Sequence, residues 1–273
     1  MYIGIDIGGT HTRIALGDEG SFLNKKDFPT KELQETLKEI KNAVDSFDQK
    51  EIKSVGVSIA GPYNFRNNTL HQPPNLPDSS KDSWREVNIS DRFTKELGIT
   101  TVAAHDASVA ALGEAIHGAG KGKNPVLYYT VSTGIGSGLI VDGKIFHGIF
   151  NPEAGHQILN KNGESLESLA SGTALKRKTG KEPTDVEGTE LWDESMETVA
   201  IGLANSILHF SPEIVIVGGG MTKHGDVFFG PVDKYISKYL TFIPPVPIVP
   251  SGLGQDSSLI GALELAKQAK QSG

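Results

Sequence analysis

The sequence predicts an α/β protein that contains two similar domains. Residues 2–16 read as a buried strand, a glycine turn and a return strand, and residues 126–141 repeat that succession. Segments with helical spacing follow each copy, so strands and helices alternate along the chain. A supersecondary unit that recurs about half a chain later indicates two homologous domains. Each domain would present a glycine loop that suits a phosphate group.

The opening turn carries residues typical of a phosphate site. Gly8 and Gly9 allow a sharp turn whose amides can approach an anion, and Thr10 adds a hydroxyl beside them. Asp6 lies at the mouth of the turn, where phosphate would repel a carboxylate unless a divalent cation lay between them. Magnesium prefers carboxylate, water and phosphate oxygens. An ordinary hairpin with two glycines at its bend is the alternative interpretation.

The composition limits the class of protein. The 273 residues suffice for one large or two medium domains, and 37% of them are hydrophobic. The net charge of -7 argues against nucleic acid or an anionic membrane as the main partner. The absence of cysteine excludes disulfides and thiolate metal sites. The first strand begins at residue 2 and no apolar run approaches the ~20 residues that span a membrane. We therefore expect no signal peptide and a cytoplasmic location.

Elements can be assigned in order through the first half. A strand at 22–28 precedes a helix for which we predict Thr30 as the N-cap. The apolar face of this helix consists of Leu33, Leu37, Ile40, Val44 and Phe47. There follow a strand at 54–60, a long loop at 65–84 with a rigid tip at 74–77, a helix at 90–97, a strand at 100–105, and a helix at 107–117 that Asp106 opens. The glycine-rich, basic segment 118–123 is either a hinge or a plain solvated connector.

The second half repeats the opening pattern and then adds helices. The repeat consists of a strand at 126–131, a glycine turn at 132–138, and strands at 139–141 and 144–147 joined by a type I′ turn at Asp142-Gly143. A polar loop at 151–156, a helix from Glu167, a charged surface segment at 176–194 and a helix at 196–210 follow. The chain then has a strand at 214–217, a glycine turn followed by a helix, a strand at 246–249 and a helix at 256–270.

Several common motifs are absent from the sequence. Residues 218–220 are three glycines between a strand and a helix, but their spacing does not fit the dinucleotide pattern G-x-G-x-x-G. Neither a P-loop nor a G-x-S-x-G nucleophile elbow occurs. His156 has no second histidine at metal-ligand spacing, and a lone loop histidine is more often a hydrogen-bonding or surface group.

Six motifs in order give the chain a family likeness. They are Asp6-x-Gly8-Gly9-Thr10, His105-Asp106-Ala107, residues 132–136 (Ser-Thr-Gly-Ile-Gly), Glu153-x-Gly155-His156, residues 166–172 (Leu-Glu-x-Leu-Ala-Ser-Gly) and residues 218–220 (three glycines). With these motifs the whole chain resembles the ROK family of sugar kinases, repressors and open reading frames. The resemblance implies two actin-like (ribonuclease H-like) α/β domains with a cleft between them. Residues 1–117 with 257–273 would form the first domain, and residues 118–256 the second.

The resemblance also implies roles for individual residues. Asp106 matches the family's catalytic base, and Asp6 matches a position near magnesium. Positions that bind sugar hydroxyls are matched by Asn75, Glu153, His156 and Glu167. The phosphate loops are matched by Gly8, Gly9, Thr10, Thr133 and Gly134, and the adenosine side by Gly218, Gly219 and Gly220. The implied ligands are ATP, Mg²⁺ and a sugar.

Two departures from the family pattern stand out. His105 precedes the base where the family usually has an asparagine that contacts the sugar, and imidazole and amide differ in reach and donor pattern. We therefore expect His105 to contact the substrate and to influence which sugar is accepted. Many members carry a cysteine-rich zinc loop, but the stretch from His156 to Glu167 is too short and has no cysteine. No zinc is expected.

The resulting hypothesis is an ATP-dependent kinase of a hexose or N-acetylhexosamine, similar to glucokinase, with no nucleic acid or membrane partner. A sugar-responsive transcriptional regulator is an alternative, although such members need an additional N-terminal DNA-binding segment. A non-catalytic sugar-binding protein is a third interpretation, against which Asp106 argues. The sequence leaves the sugar and the oligomeric state open, with a homodimer among the alternatives.

Some of these residues also have simpler interpretations. Asp106 opens a helix, where aspartate is a favoured N-cap. Glu153 and Glu167 are ordinary charges if their loop and helix face solvent, and the helix dipole favours the latter. Arg13 lies on a return strand and is expected at the surface.

Overall fold

Two mixed sheets form the framework of the protein. The computed structural model describes residues 1–18, 20–47, 52–71, 73, 76–77 and 83–271. Within these ranges the first sheet has five strands: β1 (Tyr2–Ile7), β2 (His11–Asp18), β3 (Ser21–Pro29), β4 (Val55–Ile59) and β7 (Thr101–His105). Between β4 and β7 the chain forms a separate small hairpin of β5 (Tyr63–Asn64) and β6 (Thr69–Leu70). The second sheet contains β8 (Val126–Val131), β9 (Ile135–Val141), β10 (Lys144–Ile145), β11 (Ile214–Gly218) and β12 (Ile248–Pro250).

The two sheets share one topology. The first has the order β3-β2-β1-β4-β7 and the second the order β10-β9-β8-β11-β12. In each sheet the central strand pairs antiparallel with the strand that follows it in the chain and parallel with a later strand. The predicted repetition of the opening unit is therefore confirmed. Because the parallel strands point the same way, their carboxyl ends gather at one edge of each sheet.

Helices cover the sheets. They are α1 (Leu33–Asp45), α2 (Ile89–Leu97), α3 (Asp106–His117), α4 (Leu166–Ala170), α5 (Gly172–Thr179), α6 (Glu190–Phe210), α7 (Asp226–Tyr239) and α8 (Ser257–Gln271). Short 3-10 helices occur at Ala154–His156, Pro183–Val186, Gly220–His224 and Gly254–Asp256. Among the described residues, no helix combines the length and apolarity needed to cross a bilayer.

The predicted N-cap of the first helix is wrong. The helix begins at Leu33 and its N-cap is Glu32, which makes no side-chain capping bond. The Thr30 hydroxyl instead donates to the carbonyl of Gly8 at 2.7 Å and lies 2.9 Å from the hydroxyl of Thr12. Thr30 is thus held by the glycine turn, because β3 runs on to Pro29 and delivers it beside that turn.

Other element boundaries also differ from the prediction. The strand predicted at 144–147 is only Lys144–Ile145, and the helix predicted at 196–210 begins at Glu190, where the Thr189 side chain caps it. The long loop after β4 contains the hairpin of β5 and β6, which alternation over so few residues could not reveal. The type I′ turn is confirmed, since Asp142 and Gly143 have φ of 52° and 70°.

Helices α3 and α8 cross between the two sheets with their backbones in close contact. Helix α8 packs on β1 and β4 of the first sheet, whereas α3 packs on β8 and β9 of the second. A Cβ atom at Gly261 would lie 1.8 Å from the carbonyl oxygen of Val109, so only glycine fits at this crossing. The crossing pair therefore joins the two layers of the molecule.

One buried carboxylate fastens both segments that connect the sheets. The Glu114 side chain on α3 is fully buried and accepts five hydrogen bonds of 2.5–3.0 Å. One donor is the amide of Ala119, in the segment that leads to the second sheet. The other four are the amides of Gly252 and Leu253 and the hydroxyls of Ser251 and Ser257, in the segment that returns to the first sheet. No motif or periodic pattern of the sequence points to Glu114.

Candidate active site

Three neighbouring cavities open where the carboxyl ends of the parallel strands of the two sheets meet. Their volumes are about 490, 500 and 520 Å³, and Ser132, just after β8, lines all three. We call the cavity of about 490 Å³ the carboxylate cavity, because Asp106, Glu153 and Glu167 all line it. The other two are called the α5 cavity and the α8 cavity after the helices whose first residues line them.

Asp106 lies at the point where β7 turns into α3. It is the first residue of α3, its side chain is 41% exposed, and its Oδ1 accepts the amide of Ala107 at 2.7 Å. Burial in the cavity wall raises the pKa of Asp106, the adjacent His105 lowers it, and the negative charge of Asp6 raises it. A carboxylate with a raised pKa at the end of a strand in a cleft is a candidate general base.

His105 is directed at Asp106. Its side chain is 7% exposed, and its Nε2 lies 3.1 Å from Oδ1 of Asp106. The other ring nitrogen, Nδ1, is buried and has no hydrogen-bond partner among the described residues. His105 therefore lines the cavity and faces the candidate base.

Glu167 links the carboxylate cavity to the glycine turn after β8. Its helix, α4, begins with a capping box between Ser165 and Ser168. From this position Oε2 of Glu167 accepts the amide of Ile135 at 2.7 Å. A Cβ atom at Gly134 would lie 2.6 Å from the same oxygen, so the approach requires glycine there. Oε1 of Glu167 has no partner among the described residues and remains available to a ligand.

Glu153 and His156 also line this cavity. Glu153 precedes the 3-10 helix Ala154–His156, and its Oε1 accepts Nδ2 of Asn151 at 2.8 Å. The His156 side chain is exposed and its amide donates to the carbonyl of Glu153. The structure thus brings together His105, Asp106, Glu153, His156 and Glu167 in one cavity, and their sugar-binding role stays a prediction. Asn75 lies outside the described residues.

The two glycine turns are held by their surroundings. In the first, the amide of Gly8 donates to the carbonyl of His11 at 3.0 Å, and the amide of Thr30 donates to the carbonyl of Thr10 at 2.8 Å. In the second, the amide of Gly172 donates to the carbonyl of Ser132 at 2.7 Å. Thr133 lines both the carboxylate cavity and the α5 cavity, whereas Gly134 lines only the former. Gly8, Gly9 and Thr10 line none of the three cavities and lie at the carboxyl end of β1.

The predicted adenosine glycines border the α5 and α8 cavities. Gly220 lines both, while Gly218 and Gly219 line the α8 cavity. Gly219 has a φ of 99°, and a Cβ atom there would lie 2.4 Å from the carbonyl oxygen of Val131. This close approach sets the turn against the end of β8.

Both carboxylate oxygens of Asp6 have partners within the protein, which its sequence pattern does not indicate. Its Oδ2 is 2.5 Å from Nη2 of Arg13 and its Oδ1 accepts the Ser58 hydroxyl at 2.8 Å. Arg13 was expected at the surface, but its side chain is 26% exposed and also donates to the carbonyl of Gln255 at 2.7 Å. Within the described ranges, no group of three or more His, Asp or Glu side chains is arranged to hold a metal.

Some residues of the cavities were not anticipated from the sequence. His71 lines the carboxylate cavity, and its Nδ1 lies 3.2 Å from Oε1 of Glu86. Lys176 and His224 line the α5 cavity. His71 directly follows β6 and His224 ends the 3-10 helix Gly220–His224, and neither belongs to one of the six motifs, so only the folded chain reveals their position. Lys176 follows the Leu-Ala-Ser-Gly motif closely, which is the one signal that could have identified it.

Comparison with known proteins gives a consistent result. The family model "ROK family" matches residues 2–269. A curated fructokinase of Pediococcus pentosaceus is 29% identical, with 97% of each chain covered. The crystal structure of a ROK hexokinase from Thermus thermophilus superimposes with a TM-score of 0.89 at 26% identity, covering 100% of this chain and 99% of that one.

A second solved structure is informative about ligands. It is a ROK family glucokinase from Streptomyces griseus in complex with glucose and AMPPNP, with a TM-score of 0.80 and 27% identity. The alignment covers 98% of this chain and 99% of that one. Together with the paired sheets, these likenesses confirm the expected fold of two actin-like α/β domains.

Proposed function

The chain belongs to the ROK family and is a sugar kinase, and we propose that it transfers the γ-phosphoryl group of ATP to a hydroxyl of a hexose or N-acetylhexosamine, with Asp106 as the general base. The observation that carries the proposal is the carboxylate cavity. It joins Asp106, the carboxylates Glu153 and Glu167, and the glycine turn with Thr133 in one space of about 490 Å³. A hydroxyl bound there would lie between a base and a phosphate loop.

The cavity suits a polyhydroxylated ligand. Carboxylates accept hydroxyl hydrogen bonds with both oxygens, and imidazoles can donate or accept. Glu153 and Glu167 each keep one oxygen free of bonds from the described residues. Glu153, His156 and Glu167 are proposed to bind the sugar hydroxyls and so to present one of them to Asp106.

The chemistry then follows from position. The sugar hydroxyl attacks the γ-phosphorus of ATP, its proton passes to the Asp106 carboxylate, and the bond to ADP breaks. Since the transition state of phosphoryl transfer is loose, the protein contributes mainly by positioning and charge stabilisation. The amides and hydroxyls of the two glycine turns are proposed to hold the phosphates, and the α5 cavity with Gly220 to hold the adenosine.

Magnesium is expected to accompany ATP. Mg²⁺ usually binds through one or two carboxylates together with waters and substrate phosphates, and Asp6 supplies a carboxylate at the first turn. Arg13 and Ser58 already contact both Asp6 oxygens, so Asp6 does not hold a cation by itself, and we expect the cation to arrive with the nucleotide. When bound, the cation would neutralise charge on the phosphates.

The proposal is tested by a coupled ATP-consumption assay over hexoses, ketoses and N-acetylhexosamines. Turnover of at least one of these sugars, with one phosphorylated product per ADP formed, supports it. Binding of sugar without turnover would instead favour a non-catalytic sugar sensor.

We expect His105→Asn to change the choice of sugar. The variant replaces a ring that faces Asp106 with a shorter amide, so contacts in the carboxylate cavity change. His105 does not line the α5 cavity, so that cavity should keep its shape. Ratios of kcat/KM between sugars should shift by about 10-fold or more, with little change in the KM for ATP. His209→Asn, at an exposed position of α6, is the control. Unchanged ratios across the panel would show that His105 does not contact the sugar.

Sugar binding is expected to bring the two domains together. Phosphoryl transfer requires that water be excluded, since otherwise ATP is hydrolysed. The two chain segments that connect the domains converge on Glu114, and residues 150–151 also contact β5, so we expect the closing rotation to keep these contacts. Solution scattering should show a smaller radius of gyration for the protein bound to a sugar that it phosphorylates than for the protein mixed with a sugar that it does not turn over. Equal radii in both samples would contradict closure.

A further inference from the structure

We propose that Asn151 is a positioning residue that holds Glu153 in its sugar-binding orientation and fixes it relative to the first domain. The inference rests on the proposed role of Glu153 in binding the sugar. Asn151 is 4% exposed and lies two residues before Glu153 in the segment that follows β10. No motif of the sequence points to it.

Both ends of the Asn151 amide are used. Its Nδ2 donates to Oε1 of Glu153 at 2.8 Å, and its Oδ1 accepts the backbone amide of Tyr63 at 3.0 Å. Tyr63 is fully buried and begins β5, which belongs to the first domain. Asn151 therefore connects a backbone group of one domain to a cavity carboxylate of the other.

The surrounding segment is fixed from both sides. Towards the first domain, the amide of Phe65 donates to the carbonyl of Ile149 at 2.9 Å, and Asn64 forms a β-bridge with Phe150. Towards the second domain, the buried Ser137 hydroxyl donates to the carbonyl of Pro152 at 3.0 Å. With the backbone held on both sides, the Asn151 side chain sets which way Glu153 points.

Only an amide can make both contacts. A carboxylate at position 151 would still accept from Tyr63 but would face the Glu153 carboxylate, and like charges at this distance repel. Asn151→Asp therefore separates the two roles. If Asn151 only supports the fold through Tyr63, the variant should bind sugar normally; if it positions Glu153, sugar binding should weaken.

The experiment measures the dissociation constants for glucose and fructose as probes, together with that for AMPPNP and the melting temperature. We expect Asn151→Asp to weaken binding of the preferred sugar about 10- to 100-fold, the range for a lost hydrogen bond to a charged group, and to leave AMPPNP binding unchanged. The matched control is Asn160→Asp. Asn160 also accepts a backbone amide, from Asn162 at 3.0 Å, and donates to a carboxylate, that of Glu164 at 2.8 Å, but it is exposed and outside the cavity. Sugar affinity should be unaffected by this control.

A double-mutant cycle with Glu153→Gln decides the mechanism. In the Glu153→Gln background, Asn151→Asp places a carboxylate opposite an amide, which restores a donor–acceptor pair. We expect the effect of Asn151→Asp on sugar affinity to fall to about 3-fold or less in that background. Equal effects in both backgrounds, or none in the parent, would overturn the inference.

The outcomes separate the inference from the function on which it rests. If Glu153→Gln weakens sugar binding but Asn151→Asp does not, only the role of Asn151 is overturned. If Glu153→Gln leaves sugar binding unchanged, the proposed sugar site fails and the inference fails with it. Should Asn151→Asp not fold, Asn151→Ala, which adds no charge, must weaken sugar binding in the same direction for the proposal to stand.

Discussion

Asp106→Asn is expected to fold and to bind ATP and sugar, but to lose roughly 10²–10⁴-fold in kcat, the usual contribution of a general base. The asparagine side chain keeps the shape of aspartate and can still accept the amide of Ala107, which now donates to Oδ1 at 2.7 Å. It cannot take the proton of the attacking hydroxyl. The measurement is kcat with the best sugar, alongside the dissociation constants of both substrates.

The matched control is Asp226→Asn. Asp226 is the first residue of α7, as Asp106 is of α3, but it is exposed. The N-caps of these helices are His105 and Gly225, so the sequence-based interpretation of Asp106 as the N-cap is wrong. A role confined to the first helical turn predicts similar, small effects at the two positions, because asparagine keeps the shape and an acceptor oxygen of aspartate. Turnover of Asp106→Asn within a few-fold of the parent would assign Asp106 to the helix terminus and place the base elsewhere.

The pH dependence gives an independent test of the same role. Burial raises the pKa of Asp106 above its ordinary value, with His105 lowering it and Asp6 raising it. Since the base acts as the carboxylate, kcat/KM should fall as pH drops through that pKa, at higher pH than an ordinary aspartate would give. This acid limb should be missing from the residual activity of Asp106→Asn.

As the pH rises through the pKa of Asp106, the activity should increase while the contribution of this residue to the stability of the fold decreases. A carboxyl group with a raised pKa in the folded state favours its protonated form, so folding gains from it at low pH and loses that gain as pH rises through the folded pKa. Above that pKa the ionised Asp106 therefore destabilises the fold. Asp106→Asn removes this charge, and its melting temperature at pH 7 should be no lower than that of the parent.

The features predicted from the sequence are those that depend on local pattern. Alternating isoleucines, the glycine turns and their recurrence give the strands and the two sheets, and the motif with His105 and Asp106 falls at a strand end, as expected. The partners of single side chains could not be predicted in this way. Thr30 looks like an N-cap in sequence, yet in the fold the carbonyl of Gly8 accepts its hydroxyl.

The same reason explains why Asn151 and Glu114 were missed. Asn151 bonds to an amide 88 residues away, and Glu114 to groups as far as 143 residues away. Such contacts depend on how two domains are stacked, which no local period encodes. Polar residues in these places read as surface positions until the chain is folded.

Glu114→Gln is expected to cause the largest loss of stability among the substitutions considered. The Glu114 carboxylate is fully buried and can only accept hydrogen bonds. Its Oε1 accepts hydrogen bonds from the hydroxyls of Ser251 and Ser257 and from the amide of Leu253. Oε2 takes the amides of Ala119 and Gly252, both at 3.0 Å. Glutamine must turn an NH₂ group towards one of these two sets, so backbone or hydroxyl donors are left facing another donor.

The size of the effect follows from the cost of unsatisfied buried groups. Each unpaired donor costs about 1–3 kcal/mol, so we expect a loss of roughly 3–5 kcal/mol in the free energy of unfolding. For a chain of this size that corresponds to a fall of about 10 °C in melting temperature. Both quantities can be measured by thermal and urea unfolding with and without AMPPNP.

Glu213→Gln provides the control for this prediction. Glu213 also accepts a backbone amide of the first connecting segment, that of Asn124 at 3.0 Å, but its side chain is exposed. Water can replace the lost acceptor there, so the change in stability should stay within about 0.5 kcal/mol. If the two variants lost the same stability, Glu114 would not be fastening the connections between the domains. If only Glu114→Gln is destabilised, this one buried carboxylate holds both connecting segments through hydrogen bonds that water cannot replace.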